Sequence, residues 1–306
     1  MHYSVLLDES IDALSVKSDG IYIDGTFGRG GHTKALLKKL SDKGRLIAFD
    51  RDPNAVNYAK SHFTQDNFSI IHAPFSSMKD YCQRHGLLGK IDGVLLDLGV
   101  SSPQLDEAVR GFSFSKEGPL DMRMDPTQGI PASEVLITHD EQALADIFRT
   151  YGEEKHAWKI ACAIKKHLDD GQTLTSTTEL ADLIYQSIGK REKKHPATRC
   201  FQALRIYVNQ ELEELKKALG DMLEILAPKG RLSIISFHSL EDRIVKRFMV
   251  GNIQGEQKNL PRHLPLVNTF KPKFKWIIKK AKADSNELDE NIRSRSAILR
   301  AVEKIA

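Results

Sequence analysis

The chain has 306 residues, enough for one large or two modest domains. It is 41% apolar and 28% charged, with net charge +4. That composition excludes a disordered or collagen-like chain, and no apolar run approaches the ~20 residues of a membrane span. The N-terminus, M-H-Y-S-V-L-L-D-E-S, carries acids early and lacks a signal-peptide pattern, so a cytoplasmic protein is expected. Cys82, Cys162 and Cys200 are odd in number and widely spaced, which fits neither a disulfide framework nor a zinc site.

Val5 to Leu14 reads as a short docking helix ahead of the first strand, Ile21 to Ile23, which Asp24 ends. A glycine-rich turn follows, then a helix over Thr33 to Leu40. Strand, glycine loop and helix start form the opening unit of a nucleotide-binding α/β sheet. Arg45 to Phe49 is the second strand, ended by Asp50 about 20 residues beyond the glycines. A carboxylate there suits the two hydroxyls of an adenosine ribose. Asp52-Pro53 starts a helix to about His62, Phe68 to His72 is the third strand, and Ser76 or Ser77 caps a helix to about His85. Ile91 to Leu96 is the fourth strand, ended by Asp97. Four βα steps imply a parallel sheet with helices on both faces.

The rhythm breaks at residues 98–131, rich in Gly, Ser, Pro and Asp. Phe112, Phe114, Leu120, Met122 and Met124 make ordered active-site loops the expectation there. Residues 132–210 read as helices: Glu141 to Thr150, Glu153 to Leu168, a third capped by Ser176 or Thr177, and a long fourth from Thr198 that carries Phe201, Leu204, Val208, Leu212, Leu215 and Leu219 on one face. The expected division is an α/β domain over 1–105 and 209–306, with an inserted all-helical domain over 106–208. After the A-P-K-G turn at 227–230, Arg231 to Phe237 is a fifth strand and Leu240 to Met249 a helix. Residues 250–270 read as irregular, and Phe274 to Ile278 and Ser296 to Val302 as two closing strands.

In an open parallel sheet, ligands sit at the carboxyl ends of the strands. The 24–32 loop, Asp50, Phe75 and Asp97 fall there. An apolar side chain at Phe75 suits an adenine ring. NAD and S-adenosylmethionine both fit an acid after the second strand. The loop matches neither the G-x-G-x-x-G turn of the first nor the usual acid-x-G-x-G-x-G of the second, so the loop alone leaves the cofactor open. Basic clusters at Lys190 to Lys194, at Lys271 to Lys282, and at Arg293, Arg295 and Arg300 raise a polyanionic partner.

A resemblance narrows these alternatives. D-G-T-F-G-R-G-G-H (24–32), F-D-R-D-P (49–53), D-L-G-V-S-S-P-Q-L-D (97–106), R-G-F-S-F (110–114), D-M-R-M-D (121–125), H-P-A-T-R-C-F-Q-A-L-R-I-Y-V-N-Q-E-L (195–212), I-S-F-H-S-L-E-D-R-I-V-K-R-F (235–248) and R-S-R-S-A (293–297) stand in order along nearly the whole chain. Together they resemble the bacterial RsmH (MraW) family of 16S ribosomal RNA cytosine-N4 methyltransferases. One small departure is Cys200, where a hydroxyl or similar small residue is expected. The resemblance implies a class I S-adenosylmethionine-dependent methyltransferase: a Rossmann-like, mostly parallel seven-stranded sheet with an inserted helical recognition domain. It implies S-adenosyl-L-methionine as donor, and a cytidine of the decoding centre of 16S rRNA, within the small ribosomal subunit, as acceptor. Carried over by position, the cofactor contacts are Gly30, Gly31, His32, Asp50, Phe75, Asp97 and Gln104, the last from the resemblance alone.

Asp97 is the expected catalytic contact to the N4 amine. Phe112 and Phe114 are expected to stack on bases, and His238 to contact RNA, to shuttle a proton or to be structural. RNA phosphates are expected on Lys190 to Lys194, Arg199, Arg205 and the C-terminal arginines Arg293, Arg295 and Arg300. No metal constellation appears, and methyl transfer to nitrogen needs none. The alternatives are a methyltransferase for DNA or protein, and a non-catalytic RNA-binding assembly factor. The sequence sets no oligomeric state; a homodimer is compatible with it.

Overall fold

The computed structural model describes residues 4–188, 195–255 and 270–305. The chain forms two compact units, Met1–Gly99 with Leu212–Ala306, and Val100–Glu211.

The first unit opens with α1 (Leu7–Leu14), which buries Ile11, Ala13 and Leu14. The α/β alternation follows: β1 (Ile21–Asp24), α2 (Gly31–Lys39), β2 (Arg45–Asp50), α3 (Pro53–His62), β3 (Phe68–His72), a 3-10 turn (Phe75–Ser77), α4 (Met78–Arg84) and β4 (Ile91–Asp97). Asp52 caps α3 by accepting from Asn54 N at 2.9 Å, and Pro53 takes the first helical position, where its missing N–H costs nothing. α2 begins two residues before the apolar periodicity does, because Gly30 supplies the left-handed turn (φ +73) that starts it. A side chain at Gly30 would also meet the ring of Phe27 at 2.8 Å, so glycine is required there twice over.

The helical unit holds α5 (Ser102–Asp106), a 3-10 turn (Ala108–Arg110), α6 (Ala132–Thr138), α7 (Glu141–Gly152), α8 (Ala157–Asp169), α9 (Thr177–Ile188) and α10 (Ala197–Asn209). Leu144, Phe148, Ile160, Ile164, Leu180, Ile184, Phe201 and Leu204 form its own apolar core. The single long helix expected from Thr198 onward is two helices. Gln210 adopts φ +51, which stops α10, and α11 (Glu211–Ile225) starts afresh. The i, i+4 apolar pattern runs on through the break, and no glycine or proline marks it.

The chain returns to the sheet with β5 (Leu226–Ser236), α12 (Ser239–Gln254), β6 (Phe274–Ala281), α13 (Ser285–Glu290), a 3-10 turn (Ile292–Ser296) and β7 (Ile298–Lys304). Leu226 pairs with Ile91, and pairing resumes at Arg231 opposite Gly93. The expected turn at 227–230 is therefore a bulge inside β5, with Lys229 at φ +63. α12 continues to Gln254, five residues beyond its expected end. Lys190 to Lys194, and residues 256–269 of the stretch expected to be irregular, lie outside the described residues.

The strand order is β3-β2-β1-β4-β5-β7-β6. β7 runs antiparallel to both β5 and β6, and the pairings among β1 to β5 are parallel. This is the class I methyltransferase fold expected from the sequence. The central strands are covered on both faces, which is why β2 and β4 read as unbroken apolar runs. The order reverses between β1 and β4, so the crevice at the carboxyl ends of these two strands is where a ligand belongs. Among the described residues, no helix is long and apolar enough to cross a membrane.

Candidate active site

β1 and β4 end on Asp24 and Asp97, and β2 ends on Asp50. The backbone between them is tightly tied. Gly25 N donates to Leu95 O at 2.9 Å, Phe27 N to Phe49 O at 3.0 Å, and Asp97 N to the Thr26 hydroxyl at 2.6 Å. The glycine loop is thus stitched to both neighbouring strands, and its position follows from the sheet.

Asp24 is fully buried and accepts from the Thr33 hydroxyl at 2.7 Å and from Thr26 N at 3.1 Å. Burial raises its carboxyl to about 6 against those two hydrogen bonds. Asp50 accepts from Asp52 N at 2.8 Å on one oxygen and from Gly28 N at 2.7 Å on the other. Desolvation raises it to about 6 as well, with the charges of Asp52 and Asp24 adding to the shift. Asp97 is pushed well above the carboxylate range, first by desolvation and then by the charges of Asp24 and Glu241. Its Oδ1 is buried and has no hydrogen-bond partner among the described residues. A buried acceptor without a donor is costly, so this atom is built to receive one from a ligand.

His32 lies beside Asp97. Its Nε2 is 3.2 Å from the carbonyl of Val5, an atom that only accepts, so Nε2 carries the hydrogen. Burial lowers the imidazole to about 4 and keeps it neutral. Its Nδ1 lone pair then faces Asp97 Oδ2 at 3.7 Å. Phe75 follows β3 at the same edge of the sheet and packs partly buried on the core. The sheet therefore brings Gly30, Gly31, His32, Asp50, Phe75 and Asp97 to its carboxyl edge.

A family model described as the MraW methylase family matches residues 1–305. The chain belongs to the MraW methylase family. It is 55% identical over 307 residues to the ribosomal RNA small subunit methyltransferase H of Francisella tularensis subsp. novicida, covering 100% of both chains. The protein of the same name from Francisella philomiragia is also 55% identical, covering 100% of this chain and 99% of its own. Among solved structures, a putative rRNA methylase from Clostridium thermocellum aligns at 14% identity and TM-score 0.47, over 100% of this chain and 99% of that one. A putative methyltransferase from Streptococcus mutans in complex with SAH aligns at 13% identity and TM-score 0.46, over 100% of each chain.

In this MraW methylase the remaining sequence-derived residues divide sharply. Gln104 is buried in α5, where its Oε1 accepts from Ser101 N at 2.9 Å and closes a capping box. Phe112 is buried, with the Arg110 guanidinium 5.8 Å from its ring centroid. Phe114 packs against His195 and edge-on to Phe201, each with centroids 4.8 Å apart. Phe112 is buried and so offers no open ring face to a base, whereas Phe114 is partly buried. Arg205 gives Nε and Nη2 to Glu211 at 2.8 and 2.9 Å, so it is an internal ion pair and not a phosphate ligand. Arg300 is likewise corrected: it is buried and paired with Asp242 at 2.7 and 3.0 Å. Arg199 stays partly exposed, 3.6 Å from Glu154, and Arg293 and Arg295 are exposed on the 3-10 turn before β7. His238 caps α12, its Nδ1 accepting from Glu241 N at 3.5 Å.

The sequence reading missed two ordering residues. Arg110 donates to the carbonyls of Arg123 and Met124, at 3.2 and 2.9 Å. Asn209 accepts from Met124 N at 2.8 Å and donates to Met122 O at 2.7 Å. Together they pin the 120–125 loop, whose Met122 sits at φ +62. The signal was available: both lie inside the quoted motifs, as polar residues among apolar neighbours.

Proposed function

We propose that this chain methylates the exocyclic N4 amine of a cytidine in the decoding centre of 16S rRNA, using S-adenosyl-L-methionine, on the small ribosomal subunit in the cytoplasm. The observation that carries the reading is the buried, partnerless Oδ1 of Asp97 beside the buried Asp24 and the partly buried Asp50, in a chain of the MraW methylase family.

The residues present fit this cofactor and not a dinucleotide. Desolvation raises Asp24, Asp50 and Asp97, the charge of Asp24 raises Asp50 and Asp97 further, and a pyrophosphate would add to that repulsion. A cationic ligand relieves it. Asp50 would hold the ribose hydroxyls, Phe75 the adenine, and Gly30, Gly31 and His32 the amino-acid end. S-adenosylmethionine supplies an electrophilic methyl group on a sulfonium.

The chain's own contribution is positioning and proton handling. The N4 lone pair is delocalised into the cytosine ring, which makes the amine a poor nucleophile. Asp97 accepts a hydrogen bond from N4–H, localises that lone pair and orients it for in-line displacement. On gaining the methyl group N4 would shed a proton. Asp97, whose environment favours the neutral acid, takes it. The helical unit Val100–Glu211 is assigned to substrate recognition, together with the exposed Arg199, Arg293 and Arg295.

The test is methyl transfer from labelled S-adenosylmethionine to 30S subunits from cells lacking this protein, with product nucleosides identified by mass spectrometry. N4-methylcytidine formed by the wild type and not by Asp97→Ala is expected. Cofactor binding without any methylated nucleoside overturns the reading.

A further inference from the structure

α8 presents a solvent face unlike the rest of the helical unit. Its inner face buries Ala157, Ile160, Ala161 and Ile164. At 3.6 residues per turn, Trp158, Cys162 and Lys166 form one column on the opposite face, with Lys159 and Lys165 beside it. Trp158 is 52% exposed, although a tryptophan with no partner is normally drawn into a core. Lys159 and Lys166 are exposed, as is Lys155 in the turn that leads into the helix. Among the described residues no carboxylate pairs with these three lysines. Lys165 is held in place by donating to Leu136 O and Ile137 O, at 3.3 and 2.9 Å. The face ends at Asp169 and Asp170, so its cationic part lies along the first three turns.

The geometry points to a single-stranded RNA docking surface on α8, in which Trp158 stacks on an unpaired base and Lys155, Lys159 and Lys166 neutralise phosphates. Charge complementarity selects the occupant. An isolated aromatic face amid unpaired cations is the combination that binds single strands, because every base offers a π-face and every nucleotide a phosphate. An apolar protein partner would instead call for a continuous apolar patch, whereas here lysines surround a single ring. The inference rests on the proposed RNA substrate and adds a contact surface remote in sequence from every residue assigned to the reaction.

Cys162 supplies a reporter at the centre of the face. It is partly exposed, while Cys82 and Cys200 are buried. The experiment uses full-length protein and 30S subunits from cells lacking it. A photo-crosslinker is placed on Cys162, and binding is measured against salt for wild type, Trp158→Ala, Trp158→Phe and the Lys159→Ala/Lys166→Ala pair. Expected are crosslinks to rRNA nucleotides, affinity weakened about tenfold by Trp158→Ala and largely restored by Trp158→Phe. The double lysine variant should lower the slope of log affinity against log salt by about two. At saturating subunits all variants should keep the wild-type turnover rate. Crosslinks confined to ribosomal protein or to a second copy, or wild-type affinity and salt slope in the variants, overturn the surface. Wild-type methylation with unchanged variant binding sinks the surface alone. RNA binding weakened by Trp158→Ala, with no methyl transfer by the wild type, supports the surface and sinks the proposed reaction.

Discussion

His32 Nδ1 and Asp97 Oδ2 face each other at 3.7 Å, and neither has a hydrogen to offer while Asp97 is ionised. The hydrogen of His32 is committed to Val5 O, and burial keeps the ring neutral. Two acceptors this close in a partly buried site repel, so this pair favours either the neutral acid or a bound donor. The ligand-free chain thus holds Asp97 poised, and ligand binding relieves the conflict.

Asp97→Asn should therefore separate stability from activity. Methyl transfer should fall by at least about 100-fold, within the usual range for loss of an acid–base group. The thermal midpoint of the ligand-free chain at pH 8 should hold or rise, because a buried charge is removed. Single-turnover methylation and a melting curve on the same preparation check both. A large drop in melting temperature would sink the account of Asp97 as a ligand-directed acid.

Asp24 and Asp50 give a signed pH dependence. Both have folded-state values of about 6, above the ordinary 3.8. Between these limits the folded chain binds more protons than the unfolded one, so their contribution to stability falls as pH rises from about 4 to about 6. Denaturant melts across that window should show Asp50→Asn with a shallower decline than wild type. S-adenosylhomocysteine affinity, measured by calorimetry, should rise through pH 6 in the wild type and stay flat and weak in Asp50→Asn. The ionised carboxylate is the form that accepts from ribose hydroxyls.

Asn209 carries the order of the 120–125 loop. Asn209→Ala leaves Met124 N and Met122 O without partners and should cost about 2–6 kcal/mol of stability, from ~1–3 kcal/mol per buried orphan group. Asn209→Asp should cost more, because an acceptor would then face the carbonyl of Met122. Urea unfolding checks the magnitude, and protease cleavage at the Arg123 peptide bond checks the location.

The C-terminal arginines should divide by burial and not by sequence proximity. Arg300→Ala breaks a buried pair with Asp242 and should destabilise by about 3–5 kcal/mol. Arg293→Ala/Arg295→Ala should leave the melting temperature within about 1 °C, as exposed substitutions do. The same pair should reduce the salt slope of RNA binding by about two. Equal effects of the two changes on melting would refute the division.

Local chemistry was enough for much of this protein. β-prone runs ended by acids located β1, β2 and β4, and with them Asp24, Asp50 and Asp97, because a strand's apolar run and its polar terminus are written in adjacent residues. Proline and a capping acid likewise marked α3. The stop at Gln210, the bulge at 227–230 and the fate of the arginines were settled only in three dimensions. Gln210 takes a left-handed conformation without a glycine, and the apolar stripe continues past it, so nothing local signals a break. Arg205 and Arg300 look like exposed cations until Glu211 and Asp242 are brought against them. The partnerless oxygen of Asp97 is also a tertiary fact: the sequence supplies the acid, but only the packing of β1, β4 and α2 buries its Oδ1 and leaves it no donor among the described residues.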